Sequence, residues 1–177
     1  MMQPAERFNL PARFLHWVMA ALVFAMLLMG IGMVSTVSPR YHLILPIHRS
    51  IGTIVIVLVS VRLINRIMNP RTPPPLPSDL PNWQKMLAQW SHWLLYTLMF
   101  LLPVIGWSML SAADEPIVIF GSVHLPSIVP PNARVFALLR LAHTAFAFVL
   151  FATFITHLGA ALFHALIRRD NVLESML

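Results

Sequence analysis

The chain contains no cysteine in its 177 residues. That absence excludes structural disulfides, thiolate nucleophiles, iron–sulfur clusters and the C-x-x-C-H attachment of c-type haem. Charge is scarce as well. Asp, Glu, Lys and Arg make up 10% of the residues, against roughly 25% in a soluble domain, too few to cover a water-facing surface. None of the acidic residues falls within the long apolar stretches, which argues against a transporter that passes a transition metal along a path of histidines and carboxylates.

What the chain has instead is hydrophobic residues, at 58%. Four runs reach the roughly 20 residues that a bilayer core requires of a helix: about 14–34, 46–67, 87–110 and 136–167. They predict an all-α, integral membrane four-helix bundle formed by one domain over residues 1–177. Pro46 suits the first turn of its helix, where a missing N–H is harmless. Pro103 lies inside the third run, where membrane helices tolerate proline if neighbours satisfy the freed carbonyl. The first run is longer than the apolar region of a signal peptide and carries His16, so it reads as a retained span.

The connections differ in character. Asn69–Pro81 is dense in proline and predicts an extended linker along the membrane surface. The loop from Ser111 to about Arg134 is longer and contains the fairly apolar stretch Ile117–Pro131.

The formal charge is +6, yet the arginines flank apolar runs and form no basic face for nucleic acid. Arg7, Arg13, Arg62, Arg66, Arg71, Lys85, Arg168 and Arg169 fall at one side, against Arg40, Arg49, Arg134 and Arg140 at the other. Because cationic residues concentrate on the cytoplasmic side, both termini are expected in the cytoplasm.

Six histidines lie in or at the ends of the apolar runs: His16, His48, His92, His143, His157 and His164. One such residue can be a packing or hydrogen-bonding group. Six point to function, because ionisable groups in lipid are costly. His143 and His157 are 14 residues apart on one helix, nearly four turns, so both face one way about 21 Å apart along the axis. Two axial ligand sites, one per leaflet, suit a transmembrane electron path through two haems inside the bundle.

Depth suggests partners. His48 and His143 both start helices at the outer side, and they pair there by elimination. At the inner side His16, His92 and His157 are all candidates, and depth does not choose between them. Gly30, Gly106 and Gly52 would give a flat macrocycle room, or simply let helices approach closely. Arg62 would lie near an inner propionate. Two neutral imidazoles on one iron leave no open position, so such a centre moves electrons and does not bind dioxygen. The methionines lack paired spacing and read as apolar filling.

The chain resembles the bacterial cytochrome b-561 family over residues 13–173. The resemblance rests on Arg13-Phe14-Leu15-His16-Trp17, Ile47-His48-Arg49-Ser50-Ile51-Gly52 and Val61-Arg62-Leu63. It continues through Pro73-Pro74-Pro75-Leu76-Pro77, His92-Trp93-Leu94-Leu95-Tyr96, Leu102-Pro103-Val104-Ile105-Gly106-Trp107, Ala142-His143-Thr144, His157, and Phe163-His164 with Arg169-Asp170-Asn171.

The resemblance implies two b-type haems, the outer on His48 and His143 and the inner on His16 and His157, with His92 beside the inner one. It further implies a bacterial inner-membrane protein that oxidises periplasmic superoxide to dioxygen and reduces ubiquinone, with His164 at the quinone. Trp83, Gln84 and Trp90 could complete that niche, or serve as an interfacial aromatic belt. Arg40, Arg49, Arg134 and Arg140 would attract the anion, opposed by Asp114 and Glu115. The alternative is an electron conduit between the quinone pool and a periplasmic redox protein docked on the Ile117–Pro131 loop.

Overall fold

The structure, a computed structural model, describes residues 7–35, 40–69, 77, 79–170 and 172–177. Its elements in chain order are α1 (Leu10–Ser35), α2 (Arg40–Met68), α3 (Asn82–Ala112), β1 (Ile117–Ile119), β2 (Val123–Leu125) and α4 (Ala133–Phe163). A π-helical turn over His164–Arg168 follows, then a short 3-10 turn over Glu174–Met176. The four α-helices are long and apolar enough to cross a membrane.

Each helix begins before its apolar run does. The hydrophobic count stops at polar residues, whereas backbone hydrogen bonding carries on through Gln84 and Lys85 in α3 and from Arg40 in α2. Pro46 is therefore not in the first turn but well inside α2. Its ring removes the bond that would reach the His42 carbonyl, close to the helix end, where interfacial water can substitute. The fourth run ends as α-helix at Phe163, and the rest of it forms the π turn. Most of the proline-rich linker, residues 70–76 and 78, lies outside the described residues.

Among the helices, α1 packs on α2, α2 on α3 and α3 on α4, while α4 barely approaches α1 or α2. In lipid these contacts rest on close packing, since the surrounding chains are as apolar as the side chains. The α1 face Leu15, Met19, Val23 and Leu27 recurs every four residues and is buried. At mid-depth Val23 and Leu27 meet Leu98 and Leu102 of α3 and Leu150 of α4 in one apolar cluster. Phe24 stacks on Phe154 at 6.2 Å beside it.

The α3–α4 connection is built as a cap on one end of the bundle. Asn132 receives the Arg134 and Val135 N–H groups at 3.0 and 3.1 Å, satisfying the first turn of α4. Its own N–H donates to the Ala112 carbonyl at 2.9 Å. Antiparallel β1 and β2 pair Ile117 with Leu125 and Ile119 with Val123. Phe120 and Gly121 at the turn have φ of 51° and 74°, the mirror-image turn that hairpins favour and that glycine accommodates. The strained Phe120 is held because its N–H donates to Ser50 Oγ at 3.0 Å. This hairpin went unread in the sequence, where the segment looked like loop.

At the opposite end the two termini meet. The Phe8 N–H donates to the Ser175 carbonyl at 3.0 Å, and Trp17 Nε1 donates to the Met176 carbonyl at 2.8 Å.

Candidate functional site

The histidines gather at two depths, separated by the apolar cluster. At the hairpin end, His48 of α2 and His143 of α4 bring their ring centroids to 6.4 Å. At the terminal end, His16 of α1 and His157 of α4 stand at 6.2 Å, and His92 of α3 lies 5.2 Å from His157. Thus α4 contributes one imidazole to each level, and the 14-residue interval keeps both on one face. Both facing pairs span helices that barely touch through their backbones. Side chains reach across a gap there.

These distances test whether a haem iron fits. Two imidazoles that held one metal ion, each with a bond of about 2.0 Å and a ring centre about 1 Å beyond the nitrogen, would stand with ring centres roughly 6 Å apart. His48–His143 and His16–His157 meet that spacing, whereas His92–His157 is about 1 Å too close.

Unsatisfied atoms agree. Nδ1 of His48 and of His143 is buried without a hydrogen-bond partner; the Leu102 carbonyl lies near the His143 ring but not in bonding geometry. Buried polar nitrogens are normally paired, and two unpaired rings facing each other would suit a group that the polypeptide does not supply. Facing imidazoles in an apolar surround are a donor set that would fit b-type haem.

The glycines divide. A Cβ on Gly106 would meet His143 Cε1 at 3.5 Å, so its bare backbone seats that ring. A Cβ on Gly30 would meet no other atom within 4 Å. Gly52 has Met26 Cε at 3.6 Å, so a side chain already fills part of that position.

Arg62 lies within electrostatic reach of His16, His92 and His157. Its guanidinium donates to the Ala12 carbonyl at 2.8 Å and to the Tyr96 hydroxyl at 2.9 Å. Arg66 lies over Trp93 and Tyr96, at 5.6 and 5.7 Å from the ring centres. Tyr96 was quoted in the sequence motif without a role, and it now stands between the two arginines.

His164 sits apart from these pairs. Its Nδ1 is 2.7 Å from Asp170 Oδ2, which also accepts from Arg168 Nε at 3.0 Å. Arg168 Nη2 donates in turn to Asp79 at 2.6 Å, and the Val172 N–H donates to Asp170 Oδ1 at 3.3 Å. Burial alone would raise the Asp170 pKa. The hydrogen bonds from His164, Val172 and Arg168 outweigh it and hold the carboxyl below its ordinary range. Nothing in the linear sequence marks Asp170 as the partner of His164.

A recess on α3 is lined by Gln89, Trp90 and Trp93, and Trp83 and Trp90 are exposed, as an interfacial belt would be. At the hairpin end Arg49 is half-buried, with Nη1 3.5 Å from the Pro116 carbonyl. Arg134 and Arg140 are exposed. Asp114 and Glu115 line a separate recess with Ser111, Ile117 and Leu125. The side chains of Arg40 and Arg71 lie outside the described residues.

Residues 7–177 match the family model of prokaryotic cytochrome b561. Cytochrome b561 homolog 1 of Escherichia coli strain K12 is 30% identical over 177 residues, covering 97% of each chain. Cytochrome b561 homolog 2 of the same organism is 29% identical over 174 residues, covering 97% of this chain and 92% of that protein. A probable superoxide oxidase CybB of Yersinia pestis is 30% identical over 131 residues, covering 74% of this chain and 73% of its own.

Proposed function

Since this chain belongs to the prokaryotic cytochrome b561 family, whose members carry electrons across membranes, we propose that it holds two b-type haems and moves electrons from superoxide to ubiquinone. His48 and His143 would hold the outer haem, and His16 and His157 the inner. Each haem, when bound, supplies reversible one-electron chemistry at its own depth. The observation that carries this reading is that α4 presents imidazoles at two levels, each facing another at 6.2 or 6.4 Å.

The residues of the chain do the rest. The apolar layer of Val23, Leu27, Leu98, Leu102 and Leu150 keeps water and ions from following the electrons. Arg62 compensates negative charge on the inner side, and His92 packs against His157 without ligating. The arginine excess of the terminal end supports a cytoplasmic location for both termini in a bacterial inner membrane. The hairpin end then faces the periplasm, where Arg49, Arg134 and Arg140 give an anion a favourable approach despite Asp114 and Glu115. Two superoxide anions yield two dioxygen molecules, and ubiquinone takes the two electrons with two protons to become ubiquinol. The name of the Yersinia pestis relative supports this choice of donor.

Stopped-flow absorbance of the oxidised, purified protein mixed with superoxide, with and without ubiquinone, tests it. Rapid haem reduction followed by quinone-dependent reoxidation is expected. A haem spectrum indifferent to superoxide but reduced by quinol would transfer support to the conduit reading. That second reading has its own observation, since Phe120, Val123 and Ile128 on the hairpin segment are 55%, 48% and 47% exposed and could seat a redox protein.

A further inference from the structure

The end of α4 is folded in a way that an ordinary helix terminus is not. In a continued α-helix, residue 170 would lie about 240° round the axis from residue 164. Instead the chain widens into a π turn over His164–Arg168 and reverses at Arg169, whose φ is 53°. A non-glycine residue in that region is strained, and π turns recur at functional sites. The reversal lets the Asp170 N–H donate to the His164 carbonyl at 3.3 Å, while the carboxylate reaches His164 Nδ1 at 2.7 Å. The tail beyond is clamped to the start of α1 through Ser175 and Met176. The strained turn is thus fixed from both sides.

We propose that Asp170 is a positioning residue that keeps a proton on His164 Nδ1, so that Nε2 of the imidazolium donates its proton to a quinone carbonyl. This rests on the placing of the quinone at His164 under the proposed function. Among the described residues Nε2 has no protein partner, so it is the nitrogen left to a ligand. A carboxylate accepting from Nδ1–H sets the ring's tautomer and orientation, which turns Nε2 toward a ligand. As the quinone accepts an electron from the cytochrome, the Nε2 proton passes to its oxygen. The ring is left neutral, with Nδ1–H still held by Asp170, and regains its proton from water.

The side chains of His164 and Asp170 are each 17% exposed, and Asp79 is 69% exposed, so water lies within one or two groups of the ring. Among the described residues, the charged groups paired with this unit are Arg168 from the same turn and, through Arg168, Asp79 from the segment before α3. Phe8 and Trp17 from the start of α1 hold the tail beyond it at Ser175 and Met176 and are uncharged. Arg168 neutralises part of the Asp170 charge and orients it.

The test uses full-length haem-loaded protein in detergent, pre-reduced with dithionite and mixed with a short-chain ubiquinone across pH 5 to 9. Asp170→Asn is expected to retain its haem spectrum and slow haem reoxidation about tenfold or more near pH 7. Asp170→Glu should recover most of the rate. An Asp170→Asn profile identical to the parent's, with His164→Gln slow, would overturn the role of Asp170 alone. If His164→Gln itself reoxidises normally, the quinone does not sit at His164 and the underlying reading fails.

Should Asp170→Asn not fold, nitrogen-15 NMR of histidine-labelled parent protein decides, with His164→Gln identifying the signal. A protonated, hydrogen-bonded Nδ1 at neutral pH supports the proposal. An Nε2–H tautomer contradicts it.

Discussion

The two ends of the bundle solve related problems with unequal means. At the hairpin end two imidazoles, His48 and His143, face each other at 6.4 Å with Gly106 behind the His143 ring and a buried nitrogen on each left unpaired. At the terminal end three imidazoles crowd together with Arg62, Arg66 and Tyr96, and a fourth, His164, is tied separately to Asp170. Under the proposed function the hairpin end would hold a haem and little more. The terminal end also carries two cations and a histidine–carboxylate pair, which the proposed function would use to serve an acceptor that takes protons.

The largest effect expected from that contrast is on haem content. His143→Ala should remove the outer haem and leave the inner, so the pyridine haemochromogen content halves. A full complement would break the pairing.

At the terminal end the prediction is asymmetric. His16→Ala should lose the inner haem, while His92→Ala keeps both and shifts only the inner potential. Reductive titration of the two variants reads this out, and the reverse pattern would exchange the roles of His16 and His92.

A smaller effect concerns the backing of the outer pair. The Gly106 contact at 3.5 Å is ordinary van der Waals spacing for a Cβ. Gly106→Ala should therefore be tolerated, while Gly106→Val pushes the His143 ring and reduces outer-haem occupancy. Equal occupancy in the two variants would show that glycine does not seat this ring.

The smallest effect is acid-dependent. The folded Asp170 carboxyl titrates below its ordinary value of about 3.9. Its stabilising contribution is then complete above that value and lost as pH falls through the lower folded pKa. Trp17 fluorescence, reporting the clamp to Met176, should be steady from pH 7 to pH 5 and change only below about pH 4. A transition between pH 7 and pH 5 would contradict this assignment to Asp170.

Much of this contrast could be read from residue order. Apolar runs marked the four spans because lipid imposes length and composition, and the 14-residue spacing of His143 and His157 set two levels because helix geometry is rigid. The His48–His143 juxtaposition followed from depth, as these were the only histidines expected in the membrane at that level. The inner neighbours did not follow, since three rings share one depth and only distances separate them. Helix ends were misjudged where polar residues continue a helix, as before Pro46.

The hairpin was missed because its turn places Phe120 at positive φ, held by a serine 70 residues away. The His164–Asp170 contact was missed for a similar reason: it depends on a π turn and a left-handed arginine that periodicity cannot encode.

The most direct test of the central claim is the haem-to-protein ratio of the purified, fully loaded chain, read together with low-temperature electron paramagnetic resonance of the oxidised form. Two haems per chain, both low-spin with two imidazole ligands, are predicted. One haem per chain, or a high-spin centre with an open position, would contradict the account.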